Sequence, residues 1–349
     1  MRFRDLFKFI LSADVKTRAS VKIRLFGVPL VKIRTKRICF AVLNVKDRAF
    51  YRSNHDVLAL KCPAPPDAGR LTWGDYWITE DLKRQFEKTG QTTRIDYVDR
   101  YSYPMDSKNA RTLTIRGLTG YTPPKTGKHI LFLLSHPERV PVEEMNRFHR
   151  VACASLTYAE RLKKRGIACG FVPQFTDPAK FRPEFSEQLR VPLLFVGNSR
   201  GVFRNGVKFA LEQSLPLTVY GSDWERFGVK TAGNGIPNTE LNKYYSSADI
   251  VLCDHWADMA SNGFIANRIF DASACGAFVI SDYSEEIERL YQGNVPMYRN
   301  ASELKSLVEY YLNHPEERRR KAELAKETTL KNFTVQNVVD RLNALFEED

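Results

Sequence analysis

The chain has 349 residues, too many for one ordinary core and enough for two domains of about 150 residues each. At 43% hydrophobic and 27% charged it is neither disordered nor fibrous, and no apolar run reaches the roughly 18 residues of a membrane span. The net charge is +12, yet +9 of it sits in residues 1–37, where eleven Lys/Arg face only Asp5 and Asp14, so a duplex-binding groove on the folded body is disfavoured.

In residues 1–11, Phe3, Leu6, Phe7, Ile10 and Leu11 recur at helical spacing, which predicts a short basic helix with an aromatic face. Val21, Ile23 and Leu25, then Val31 and Ile33, alternate with cations around Gly27 and Pro29, which predicts a basic β-hairpin. Each cation near an anionic leaflet is worth about 1 kcal/mol. Residues 1–37 are therefore expected either to hold an anionic membrane surface or to pack on the body. The start is too short and too charged for a secretory signal, so the expected location is cytoplasmic, peripheral on the inner membrane face. Six scattered cysteines without a CxxC predict buried structural thiols, with no zinc site.

From Ile38 onward short apolar runs alternate with amphipathic stretches, the mark of α/β units on parallel sheets. The first half gives strands at 57–61, 92–98, 111–118 and 129–136, then RVACAS and CGFVPQF, with a helix over roughly 75–89. Periodicity fails at 177–192, where prolines and charges accumulate, and a linker is placed there. The second half gives strands at 193–198, 217–222, 249–254 and 277–282, with helices between them and over 302–349. The expected domains are residues 1–37, 38–185 and 186–325, with 326–349 as a helix crossing back to the first domain. Two Rossmann-like domains then face a cleft, and ligands bind beyond the carboxyl ends of the strands.

FVGNSRGVFRNGVKFALEQ (195–213) is a strand, a Gly/Asn/Ser loop and a helix, an arrangement that favours phosphate. It is neither a Walker loop nor GxGxxG. Arg200, Arg204 and Lys208 lie four apart, and a helix beginning near Gly201 would put Arg204 and Lys208 on one face. IVLCDHWADMASNGFIANRIFDASACGAFVISD (250–282) is more specific: a buried strand ending in Asp254 and His255, a polar loop closing on Asn262-Gly263, then a helix. A helix start at Gly263-Phe264 would offer N–H groups to a phosphate or sugar oxygen. Asp271, eight residues on and so about 12 Å along the axis, either holds ribose hydroxyls or is satisfied by Arg268 or another local cation. No DxD metal pair is evident, since Asp254 and Asp258 are four apart, and no obligatory metal or other cofactor is expected.

This stretch resembles the donor-binding segment of the group 1 glycosyltransferases, particularly the spore-maturation-protein-like branch, in its DHW…GF…NR…FDA…CG…SD run. The resemblance covers roughly 55–345 and implies the GT-B architecture and a nucleotide-diphosphate sugar as co-substrate. Asp271 stands in the position of the second glutamate of the more familiar group 1 enzymes, while no carboxylate stands in the first, at Gly263 and its neighbours. His255, Asn262, Gly263, Phe264, Asn267 and Arg268 fall within this donor segment. FVGNSRGVFR, with Gly197, resembles the family's phosphate-binding entry to the C-terminal domain; LTVYGS, with Gly221, matches too. GNGIP, with Ile236, lies where such proteins contact the nucleotide base.

In the first half, the W-G-D-Y run (Trp73, Gly74, Asp75, Tyr76) resembles the family's cleft-facing acceptor segment; Asp75 is either a general base or the helix N-cap. His136, in a family-like S-H-P at a strand end, hydrogen-bonds a donor-sugar hydroxyl, accepts a proton, or is satisfied by its own loop. The expected function is hexosyl or deoxyhexosyl transfer to a hydroxyl of a surface glycan, such as lipopolysaccharide, or of a lipid-linked acceptor. A catalytically idle binding subunit and a nucleotide-sugar epimerase of the same fold remain as alternatives.

Overall fold

The structure, a computed structural model, describes residues 11–17, 20–25, 28–34, 50–101 and 111–348. The chain forms two compact units, residues 1–57 and 58–349. The first contains an antiparallel sheet of β1 (Leu11–Thr17), β2 (Ser20–Leu25) and β3 (Val28–Arg34). The predicted hairpin is β2–β3, with Val21 opposite Ile33 and Ile23 opposite Val31. Leu11, expected to end a helix, begins β1 instead. Residues 1–10, with the rest of the predicted amphipathic helix, lie outside the described residues.

The second unit holds two sheets, each covered by helices. The N-terminal sheet has the order β5-β4-β6-β7-β8-β9, built from β4 (Val57–Lys61), β5 (Thr92–Asp96), β6 (Arg111–Arg116), β7 (Lys128–Leu133), β8 (Arg150–Cys153) and β9 (Cys169–Phe171). The C-terminal sheet has the order β11-β10-β12-β13-β14: β10 (Leu193–Val196), β11 (Leu217–Tyr220), β12 (Ile250–Leu252), β13 (Val279–Asp282) and β14 (Met297–Tyr298). Strands β4, β6, β7, β8 and β9 run parallel, as do all five of the C-terminal sheet. Strands buried on both faces read as continuous apolar runs, which is why IVL and HILFL stood out in the sequence. Both sheets reverse direction beside their first strand, and such a switch point opens a crevice at the carboxyl ends.

The helices are α1 (Gly74–Lys88), α2 (Val142–Met145), α3 (Leu156–Lys164), α4 (Asn205–Glu212), α5 (Leu241–Ser247), α6 (Ala257–Ser261), α7 (Asn267–Ala274), α8 (Glu285–Tyr291), α9 (Ala301–Asn313), α10 (Pro315–Asn332) and α11 (Val335–Glu347). Thr334 and Asn337 form a capping box that starts α11. Its apolar face (Val338, Val339, Leu342, Phe346) then packs into the core of the N-terminal sheet, so the chain's last helix closes the first domain. Cys62, Cys153, Cys169, Cys253 and Cys275 are buried free thiols. No described helix is long and apolar enough to cross a membrane.

Candidate donor and acceptor site

At the C-terminal switch point, Gly197 directly follows β10 and Gly221 directly follows β11. A side chain on Gly221, whose φ is +153°, would put a Cβ 2.1 Å from the Gly197 carbonyl oxygen, so only glycine closes this corner. The Trp224 indole N–H donates to the same carbonyl at 2.8 Å. Gly221 N–H donates to Gly233 O at 2.9 Å, which draws the loop carrying half-buried Ile236 to the end of β11.

Helix α7 supplies the polar groups. A Cβ on Gly197 would meet Arg268 Nη2 at 2.8 Å, so the guanidinium stands at the mouth of β10, 5.0 Å from the Phe195 ring centroid. One turn on, Asn267 Nδ2 donates to Asp271 Oδ2 at 2.8 Å. Burial pushes the Asp271 carboxyl up to about 8, against the pull of Thr176 and Lys180. Arg268 Nη1, Asn267 Oδ1, Asp271 Oδ1 and Thr176 Oγ1 are all buried and make no well-formed hydrogen bond, although the Thr176 hydroxyl lies beside the Asp271 carboxyl and the Cys253 thiol beside Arg268. Native interiors rarely strand such atoms, and each costs roughly 1–3 kcal/mol unless a ligand satisfies it. Asp271 pairs with Asn267 and feels the charge of Lys180, so of the local cations it is Lys180, and not Arg268, that acts on it.

Several expectations need correction. Helix α4 begins at Asn205, so Arg204 is its N-cap and does not share a face with Lys208. Arg204 is buried against Asp254, with Nε 3.2 Å from Oδ2, Nη2 on Oδ1 and Nη2 2.9 Å from the Asp254 carbonyl. Exposed Lys208 lies 3.8 Å from Glu212. Arg200, in a left-handed turn (φ +49°), is exposed and lines a groove with Gly201, Asp223, Glu225 and Arg226.

The Asn262-Gly263-Phe264 segment is not a helix start. The chain first makes the short α6, whose last turn takes the N–H of Gly263 (to Ala260 O, 3.3 Å) and Phe264 (to Met259 O, 2.9 Å). Phe264 is buried edge-on to Tyr158 in the N-terminal core. Asn262 accepts from Ser155 Oγ at its carbonyl (2.7 Å) and from Arg161 at Oδ1 (3.1 Å), both in the other domain. Helix α7 starts at Asn267 instead, where the preceding Ala266 N–H donates to His255 Nε2 at 2.8 Å. His255 Nδ1 meets Asp282 at 2.6 Å. Both nitrogens are spent, so His255 braces α7 and does not face a donor.

Across the cleft, Trp73 is the N-cap of α1 without a side-chain capping bond, and exposed Gly74 is its first residue. Asp75 is therefore not the N-cap. Its carboxylate lies over Gly117, at the end of β6, where a Cβ would come 2.7 Å from Oδ2. Burial raises it to about 6, opposed by the charges of Arg200 and His136. Tyr76 packs edge-on to Trp77 (4.9 Å) under Arg70 (5.5 Å), so its ring already has neighbours. His136 Nδ1 is 3.0 Å from Asp258 Oδ2, in α6 of the opposite domain, and its ring lies 5.9 Å from that of Trp256. Asp254 and Asp258, weighed in the sequence only as a metal pair, and Glu286, which the sequence does not single out, all prove to hold partners. Glu286 accepts from Leu156 N–H (2.8 Å) and Thr157 Oγ1 (2.9 Å), capping α3 from the other domain. No local signal marks these three, since each partner is remote in sequence. Among the described residues no cluster of three His, Cys, Asp or Glu suits a metal.

Residues 204–344 match the family model described as Glycosyl transferase-like. Over 157 residues, 40% of this chain, the sequence is 24% identical to Spore protein CgeB of Bacillus subtilis (strain 168), and the match spans 49% of that relative, about half its length. Among solved structures, sucrose-phosphate synthase from Thermosynechococcus elongatus superposes with a TM-score of 0.61 at 12% identity, over 83% of this chain and 98% of that one. The T4 phage β-glucosyltransferase in complex with its UDP-glucose substrate gives 0.58 at 12% identity, over 84% and 100%. Residues 204–344 thus resemble a glycosyl transferase-like domain, set in a chain with the fold of the GT-B glycosyltransferases.

Proposed function

We propose that this protein transfers a sugar from a nucleotide-diphosphate donor to a hydroxyl acceptor. The observation that carries this is the row of stranded polar atoms along α7: one cationic donor at Arg268, then acceptors at Asn267 and Asp271. That is the complement of a diphosphate followed by a ribose. Arg268 with Arg200 neutralises the leaving diphosphate, the largest electrostatic demand of the reaction, and takes the place of a metal. The ribose hydroxyls donate to Asp271 Oδ1 and Asn267 Oδ1, with Ile236 and its loop toward the base. Asp75, held near neutrality, deprotonates the acceptor hydroxyl, and His136 hydrogen-bonds the donor sugar. The acceptor enters along Trp73, Gly74 and Tyr76, where exposed Leu71 and Leu118 suit a surface-glycan or lipid-linked molecule. The +9 patch of residues 1–37 supports docking on an anionic membrane from the cytoplasmic side.

The second reading is a non-catalytic partner subunit. It is favoured by Asn262-Gly263, where the family's first carboxylate would stand, being spent on contacts to the other domain. Incubation with radiolabelled nucleotide sugars separates the readings. The proposal expects nucleotide diphosphate plus a glycoside, or free sugar by slow hydrolysis without an acceptor. Unchanged donor supports the idle subunit, and an isomerised sugar supports the epimerase.

A further inference from the structure

His136 sits on the N-terminal domain, in a left-handed turn (φ +50°) just beyond β7, while Asp258 sits on α6 of the C-terminal domain. Their side chains meet at 3.0 Å and both are largely buried, at 15% and 18% exposure. A carboxylate only accepts, so the neutral imidazole carries its proton on Nδ1 and keeps an electron pair on Nε2. Helix α6 is in turn tied to the N-terminal domain: Asn262 Nδ2 donates to the Asp258 carbonyl at 2.8 Å, and Asn262 itself receives Arg161 and Ser155. Trp256 flanks the pair, with Arg204 stacked at 4.9 Å on its ring.

We infer that Asp258 is a positioning residue that completes His136 from the opposite domain, fixing the Nδ1–H tautomer so that Nε2 accepts a hydrogen from a donor-sugar hydroxyl. The pair spans the two domains and is lost if they separate, so domain position and sugar recognition become one event. This inference rests on the sugar-transfer reading, but the pairing itself does not.

The test combines ¹⁵N-histidine NMR of the full chain with UDP release from UDP-glucose. In wild type, the His136 signals, assigned by their loss in His136→Ala, show a protonated Nδ1 and an unprotonated Nε2. Asp258→Asn offers an amide N–H to Nδ1, shifts the population toward Nε2–H, and lowers kcat roughly 10- to 100-fold, the worth of one charge-assisted hydrogen bond. KM for UDP-glucose stays within about twofold, and Asp258→Asn adds no further loss in a His136→Ala background. Asp258→Glu keeps the wild-type tautomer and covers the case in which the asparagine variant does not fold. A wild-type imidazole protonated on Nε2 instead of Nδ1, or a full additional loss in the His136→Ala background, overturns the inference. If neither UDP-glucose nor any of the radiolabelled nucleotide sugars above is turned over while the tautomer is as expected, the pairing stands and the sugar-transfer reading falls.

Discussion

Asp75 and Asp271 are both carboxyls that burial lifts, and the two consequences differ. For Asp75, near 6, the ionised form is the base, so kcat/KM for transfer should rise with pH through about 6 and level off above it. Asp75→Asn should remove that limb and cost roughly 10²- to 10⁴-fold; a limb that survives would show the base is another group. For Asp271 the effect is on stability. Its folded value, about 8, exceeds the ordinary 3.8, so the folded state holds the proton more tightly. The associated stability is full below pH about 4 and drains away as pH rises toward 8. Asp271→Asn should abolish that share of the slope, read as the change in urea midpoint between pH 5 and pH 8 relative to wild type. The sequence announced both residues through W-G-D-Y and F-D-A. It could not say that Asn267 would pair with Asp271, or that Asp258 would meet His136 from 122 residues away.

At the scale of elements, Asn262-Gly263 is the most misleading signal in the sequence. An Asn-Gly pair before an apolar run looks like a helix start, yet here it ends α6, whose five residues showed no periodicity of their own. Helix α7 then starts four residues later, which moves the proposed phosphate ligand from Gly263 to Arg268 and leaves the proposed ribose ligand where it was. Arg204 was misplaced for a similar reason: the Gly-rich loop runs to Phe203, and the arginine turns inward onto Asp254. Two substitutions test the corrected corner. Gly197→Ala presses on the Arg268 guanidinium at 2.8 Å and on the Phe195 ring at 3.3 Å, contacts that a small side-chain shift relieves, so it should lower the melting temperature less than Gly221→Ala does and weaken nucleotide binding about tenfold or more. Gly221→Ala meets backbone at 2.1 Å, so it should cost more than about 2 kcal/mol of stability by chemical denaturation.

Across the whole molecule the two parallel sheets were legible because their strands are apolar on both faces. Strand β14, two residues long, was not, and neither was the seam between the domains. That seam joins apolar contacts, such as Phe264 on Tyr158, to polar ones: Glu286 reaches across to the start of α3, where its charge also meets the positive end of the helix dipole. Glu286→Ala strands the Leu156 N–H and should cost about 1–3 kcal/mol. It should also widen the molecule in small-angle scattering with no nucleotide bound; an unchanged profile would mean the seam is held elsewhere. The central claim is that the polar atoms along α7 are a nucleotide-diphosphate site, and calorimetry tests it most directly. Wild type, Asp271→Ala and Arg268→Ala would be titrated in EDTA with UDP, GDP, CDP, ADP and dTDP. The account predicts that one nucleotide binds wild type without metal and that both variants weaken it at least tenfold. Binding of none, or equal binding by the variants, would contradict it.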